Sequence, residues 1–278
     1  MRHAFSVRVG PAGFRIGSDW LAPIETLRDL YRDYPTPAVP DFTVRLEATR
    51  PWRRIVRPSV RIAGDYTLPE AAPLPLRQAL LAAEMGMNLQ MALGWRRHLL
   101  LHAAVVERDG RAVILTGESG AGKSTLSALL SARGWRFMGD EFALVEPATG
   151  LLHPFPRPIS LKNESVGAVP GTRWGPPLTG TPKGDIRHLL PSAEAIGAQD
   201  RPAMPALLLF PRFGAPREVR EVPRSEAFVR LTQASTNYVA LGELGFTALT
   251  RLVTNMPALA IDYPDGATGV ALVEQLSA

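Results

Sequence analysis

An α/β fold with a small N-terminal β-rich layer is predicted, on three observations. The stretch RAVILTGESGAGKSTLSALLSAR reads as a buried strand, a glycine-rich loop and a helix. Later apolar runs, PALLLFPRF and PALAIDYP, have the near-continuous hydrophobicity of strands covered on both faces, and helical patterns lie between and after them. The first 72 residues instead hold short alternating segments broken by proline and glycine. With 278 residues the chain can bury one sizeable core plus an appended layer, so an N-terminal subdomain over 1–72 and a larger domain over 73–278 are expected.

In chain order, FSVRVG, FRIG, DFTVRLEA and VRIAGDY read as strands of the first layer. Leu76, Leu80, Ala83, Met87 and Met91 recur at helical spacing between Leu74 and Trp95, which predicts an amphipathic helix packed on the core. HLLLHAAVVE and RAVILTG read as two buried strands joined by a turn at Arg108-Asp109-Gly110. A helix from about Lys123 to Arg133 stops at Gly134, and GWRFMGDE is a short strand ending on two acids. After Gly150 the prolines predict irregular active-site loops, followed by helices in SEAFVRLTQAS, ELGFTALTRLVTN and ATGVALVEQLSA.

Composition narrows the function classes. Hydrophobic residues make up 46% and charged residues 21%, the balance of an ordinary globular chain, and no apolar run approaches the roughly 20 residues that span a bilayer. The absence of cysteine excludes disulfides and thiolate metal sites. MRHAFSVRVG lacks the apolar core of a secretion signal, so the cytoplasm is the expected compartment. The net charge of +5 comes from scattered arginines with short clusters such as Arg53-Arg54 and Arg96-Arg97, which read as a solvated surface; neither nucleic acid nor membrane is an expected partner. Of the 31 basic residues only Lys123, Lys162 and Lys183 are lysine. An ammonium is a compact point charge and a guanidinium is a planar fork, so the three are suspects for one site.

Gly117 to Ser124 satisfies the pattern G-x-x-x-x-G-K-S between a strand and a helix, the context in which that pattern binds phosphate. The expected nucleotide-binding residues are Gly117, Glu118, Ser119, Gly120, Ala121, Gly122, Lys123, Ser124 and Thr125. Backbone N–H groups and the helix dipole cradle the phosphates, Lys123 bridges the β- and γ-phosphates, and Ser124 ligates Mg2+. The ligand so implied is ATP with Mg2+. Asp140 and Glu141 end the next strand, where a parallel sheet would bring a carboxylate beside the loop to hold Mg2+ or accept a proton. His102 precedes the loop by one hairpin, and its side chain could face either the core or that same edge.

His102, the loop from Gly117, and the Arg133-Gly134-Trp135-Arg136 segment followed by Asp140-Glu141 resemble HPr kinase/phosphorylase, whose P-loop core is similar to that of the phosphoenolpyruvate carboxykinases. PFPRPISLKNES and TPKGD extend the likeness toward the HPr-kinase-related kinase A group. The resemblance implies a mixed-sheet kinase core and an ATP-dependent serine kinase acting on a small protein or peptide, and it allows a homo-oligomer. It makes Asp140 the base toward the serine hydroxyl and His102 its tuning partner. Glu141 stands where the family has a second aspartate, either as a metal ligand or as a partner of His102. Lys162 and Lys183 would stabilise the transferred group or bind the acceptor, with Arg157, Arg173 and Arg187 as alternatives. No segment like E-x-R-G-L-G follows, so neither a phosphorylase reaction nor HPr as acceptor is implied. The same site would serve a metabolite kinase, and the loop alone would serve a nucleotide-dependent binding or assembly protein.

Overall fold

The computed structural model describes residues 2–170, 173–182 and 184–277. Among them the chain forms two compact units, one running to Trp95 and taking in a short return at Leu178–Thr181, the other holding most of the chain from Arg96 on.

In the first unit, β1 (His3–Val9), β2 (Ala12–Ser18), β3 (Phe42–Ala48), β4 (Ser59–Gly64) and β5 (Leu74–Pro75) make a five-stranded sheet in that order. α1 (Leu21–Leu30) joins β2 to the parallel β3, and α2 (Ala79–Gly94) follows β5. α1 was not legible because Pro23 looks like a break. A proline in a first helical turn removes an N–H that has no helical partner, and the helix buries Pro23, Ile24, Leu27 and Leu30. α2 buries Leu80, Ala83, Met87 and Met91 as its spacing predicts. It lies so close to β3 that a Cβ on Gly86 would meet Val44 Cγ1 at 2.5 Å. α2 belongs to this first unit.

The second unit is mixed α/β. Its strands and helices are β6 (Leu99–Leu101), β7 (Ala103–Arg108), β8 (Arg111–Thr116), α3 (Lys123–Ala132), β9 (Arg136–Gly139), β10 (Ala143–Val145), β11 (Leu152–His153), β12 (Ile159–Lys162) and α4 (Ser165–Ala168). After the return strand β13 (Leu178–Thr181) come β14 (Gly184–Leu189), α5 (Ala193–Gly197), β15 (Met204–Phe213), β16 (Glu218–Glu221), α6 (Arg224–Ala234), α7 (Tyr238–Leu241), α8 (Glu243–Asn255), β17 (Ala258–Tyr263) and α9 (Gly266–Leu276). The region after Gly150 thus carries strands where loops were expected. β12 pairs antiparallel with β14 and buries Ile159 and Leu161 against Ala128 and Phe137.

The central sheet has the order β16-β17-β15-β8-β7-β9. β8, β15 and β17 run parallel, while β7 runs antiparallel to both β8 and β9. β9 is therefore codirectional with β8. Alternate residues feed two cores: Ala103, Val105, Ile114 and Leu208 pack with Leu231 and Leu249, while Ala104, Val106, Val113, Leu115 and Leu209 pack with Leu126, Leu130 and Val273. Burial on both faces is why these strands read as continuous apolar runs. No helix among the described residues is long and apolar enough to cross a membrane.

Candidate functional site

Register alone gathers the site. Ala103 opposes Thr116 and Val105 opposes Gly139, so the start of β7 and the ends of β8 and β9 share one edge of the sheet. His102 immediately precedes β7, the loop from Gly117 follows β8, and Asp140 follows β9. The Thr116 hydroxyl donates to the His102 carbonyl at 3.0 Å, and the His102 N–H donates to Ala234 O at 2.8 Å. The chain bends at His102 and changes partners: β6 pairs with β10, while β7 pairs with β8 and β9. That bend sets His102 at the sheet edge, accessible to solvent but partly shielded from it, rather than in the core. Its Nδ1 lies 3.2 Å from the Glu141 carbonyl oxygen, so its contact with the acidic pair is to backbone, not carboxylate.

Gly117, Glu118, Ser119 and Gly120 are exposed, Ala121, Gly122, Ser124 and Thr125 are half-buried, and Lys123 is buried at the first position of α3. The Lys123 ammonium donates to Gly117 O at 2.7 Å and Glu118 O at 2.9 Å, clasping the loop onto itself. Burial lowers its pKa, Asp140 opposes that, and Lys162 adds to it.

Asp140 is buried, and its Oδ1 has no hydrogen-bond partner among the described residues. Burial, reinforced by the neighbouring Glu141 carboxylate, pushes its pKa up to about 7; the Ser124 hydroxyl, Lys123 and Lys162 pull the other way. His102 is held below the ordinary imidazole value, first by loss of water from around its ring, with the Lys123 and Lys162 charges adding to this and Glu141 opposing it. Lys162, half-buried at the end of β12, thus acts on Asp140, Lys123 and His102 together. Five of the sequence-selected residues, His102, Lys123, Asp140, Glu141 and Lys162, form one electrostatic cluster. Lys183 lies outside the described residues. Arg157 is buried, and Arg187 stacks over Trp174 at 5.2 Å while its Nε donates to Gly175 O.

Among the described residues no group of three histidines or acids could cage a metal by itself. A hard cation that keeps waters and takes phosphate oxygens needs only one or two protein carboxylates, and the orphaned Asp140 oxygen beside the Ser124 hydroxyl suits it.

Residues 79–170 match the family described as SynChlorMet cassette protein ScmC. That span takes in His102, the 117–125 loop, Asp140, Glu141 and Lys162 but covers less than half of the chain. No curated protein matches the chain.

One residue at this edge carried no sequence signal beyond its place at the end of a strand. Tyr263 closes β17, and its buried hydroxyl has no partner among the described residues. It lies where a Cβ on Gly122 would meet it at 2.7 Å, and Gly122 has φ +93°. Gly122→Ala is therefore expected to cost roughly 2–3 kcal/mol, from left-handed backbone strain of about 1–2 kcal/mol plus the collision. Tyr263→Phe removes only an unsatisfied hydroxyl and should leave stability unchanged or slightly raised. In the double variant it should recover part of the loss. Thermal denaturation of the three variants checks this, and an additive double variant would show that the two groups do not collide.

Proposed function

We propose that this chain is an ATP-dependent kinase that transfers the γ-phosphoryl group to a serine hydroxyl of a small protein or peptide, on a P-loop, phosphoenolpyruvate-carboxykinase-like core. The observation that carries this reading is the buried carboxylate of Asp140, with one oxygen unpartnered among the described residues, at the same sheet edge as the glycine-rich loop. A nucleotide switch needs the loop; it does not need a buried, unpartnered carboxylate beside it.

Phosphoryl transfer depends mainly on positioning and on neutralising charge. Loop N–H groups and Lys123 hold the phosphates once the ammonium exchanges the Gly117 and Glu118 carbonyls for phosphate oxygens. Ser124, Asp140 and Glu141 would hold Mg2+, which when bound would offset the negative charge of the phosphates. Asp140 orients the acceptor and takes its proton as the new O–P bond forms and the bond to the β-phosphate oxygen breaks, releasing ADP. His102 steadies the Asp140-Glu141 turn through the Glu141 carbonyl. Lys162 faces the charge that builds on the transferred group.

The test is incubation of the protein with Mg-ATP and an extract of its source cells, comparing new phosphoserines by mass spectrometry between wild type and Asp140→Asn, with ATP binding confirmed for both. Phosphorylation that disappears in the variant supports the proposal and identifies the acceptor. Asp140-dependent ATP consumption without any phosphoprotein would point to a metabolite acceptor. Tight ATP binding without turnover would leave a nucleotide-dependent assembly protein.

A further inference from the structure

Between Ala48 and Gly64 the chain carries five arginines, Arg50, Arg53, Arg54, Arg57 and Arg61, and no acid. The segment ATRPWRRIVRPS connects β3 to β4, and it is an ordered turn, not a slack loop. Pro51–Arg54 forms one 3-10 turn. The N–H groups of Ile55 and Val56 both donate to Trp52 O, at 3.1 and 2.9 Å. Arg53 donates to Arg57 O at 3.1 Å, and the Trp20 indole N–H donates to Arg54 O at 2.9 Å, tying the turn to the β2–α1 junction. Arg57 takes φ +46°, a left-handed conformation that closes the turn.

What this turn holds outward is apolar. Trp52 is 55% exposed, Ile55 84% and Val56 61%, three large hydrophobic side chains within five residues, flanked in sequence by Arg50, Arg53, Arg54 and Arg57. A solvated arginine cluster has no use for them. The sequence does not reveal this, because Ile55 and Val56 carry no local signal of their exposure.

We propose that the Arg50–Arg57 turn is a docking tip for an anionic phospholipid surface. Aliphatic side chains on a convex tip suit the boundary between headgroups and acyl chains, tryptophan favours that same level, and clustered arginines meet the anionic headgroups. Single-stranded nucleic acid suits the tip less well. Ile55 and Val56 offer no stacking face, and one side of the Trp52 ring is taken by Arg50, whose guanidinium carbon sits 5.2 Å from the ring centroid. The contact is peripheral and independent of any reading of the nucleotide site.

The experiment is flotation of the full chain with phosphatidylcholine vesicles containing phosphatidylglycerol, and with phosphatidylcholine alone, over a series of salt concentrations. The expected result is binding to the anionic vesicles that falls as salt rises. It should weaken at least about tenfold for R53E/R54E and severalfold for I55S/V56S. These side chains lie outside the core, so each variant should melt like wild type. The emission difference between wild type and W52F should shift to the blue on anionic vesicles, reporting Trp52 in the interface. Equal binding to neutral vesicles, or binding unchanged by R53E/R54E, would overturn the proposal. So would tip-dependent capture of a mixed-sequence single-stranded RNA by a chain that ignores vesicles.

Discussion

Asp140→Asn is expected to stabilise the fold above neutral pH while cutting phosphoryl transfer by about two to four orders of magnitude, the range for loss of a positioned general base. Both effects have one origin. The Asp140 carboxyl titrates near 7 in the folded chain against 3.8 for the free side chain, because burial and the Glu141 charge disfavour its ionised form. The folded state therefore binds a proton that the unfolded state has already released, and stability falls as pH rises through the window from about 4 to about 7. Above that window the charge costs the fold up to about 4 kcal/mol, the equivalent of roughly three pK units. Asparagine resembles the protonated acid and keeps an oxygen that the Ser124 hydroxyl can bond, so it escapes this cost. Melting curves of both proteins from about pH 5 to about pH 8 should diverge, with the variant ahead at the alkaline end. A constant offset, or a variant less stable throughout, would remove the case for a carboxyl poised near neutrality. ATP affinity measured without Mg2+ should change little, since Lys123 and the loop amides remain, whereas any contribution of Asp140 to holding Mg2+ is lost.

The parts of the molecule legible in sequence are those where one physical pattern acts alone. Strands covered on both faces had to be apolar throughout, so β7, β8, β15 and β17 were visible as runs. The glycine-rich loop was visible because a backbone curl between strand and helix demands glycine at fixed spacing, and Gly117, Gly120 and Gly122 all take positive φ. The orientation of His102 was not visible. It depends on a one-residue bend that hands the chain from β10 to β8, a matter of sheet register, not of local composition. β12 was hidden by the prolines around it, although Lys162, picked out for being a rare lysine, stands at its end beside Asp140 and Lys123. Tyr263 was hidden because only the parallel pairing of β17 with β15 carries it to the loop.

Arg136 shows how a motif position can have a structural task, and its loss is expected to be strongly destabilising. Arg136→Met should cost about 3–5 kcal/mol, the range for removing one partner of a buried ion pair. The Arg136 and Glu107 side chains are 9% and 10% exposed, and their charges meet across the β7–β9 pairing through the Arg136 Nε. The arginine also donates to Ala198 O at 3.2 Å and Arg201 O at 2.9 Å, while Glu107 accepts from the Gly110 N–H at 2.5 Å. Without Arg136, Glu107 is left buried with its charge unanswered, and two carbonyls lose their donor. At roughly 2–4 °C per kcal/mol for a body of this size, the melting point should fall by about 10 °C. Glu107→Gln removes the stranded charge yet still accepts from Gly110, so in the double variant it should restore a large share of the loss. Arg136 begins β9 and Asp140 follows its end, a separation of about 13 Å along the strand, so nucleotide affinity below the melting transition should be unchanged. A double variant as unstable as Arg136→Met would place the cost in the lost carbonyl contacts, and weakened nucleotide binding in the folded variant would make Arg136 part of the site.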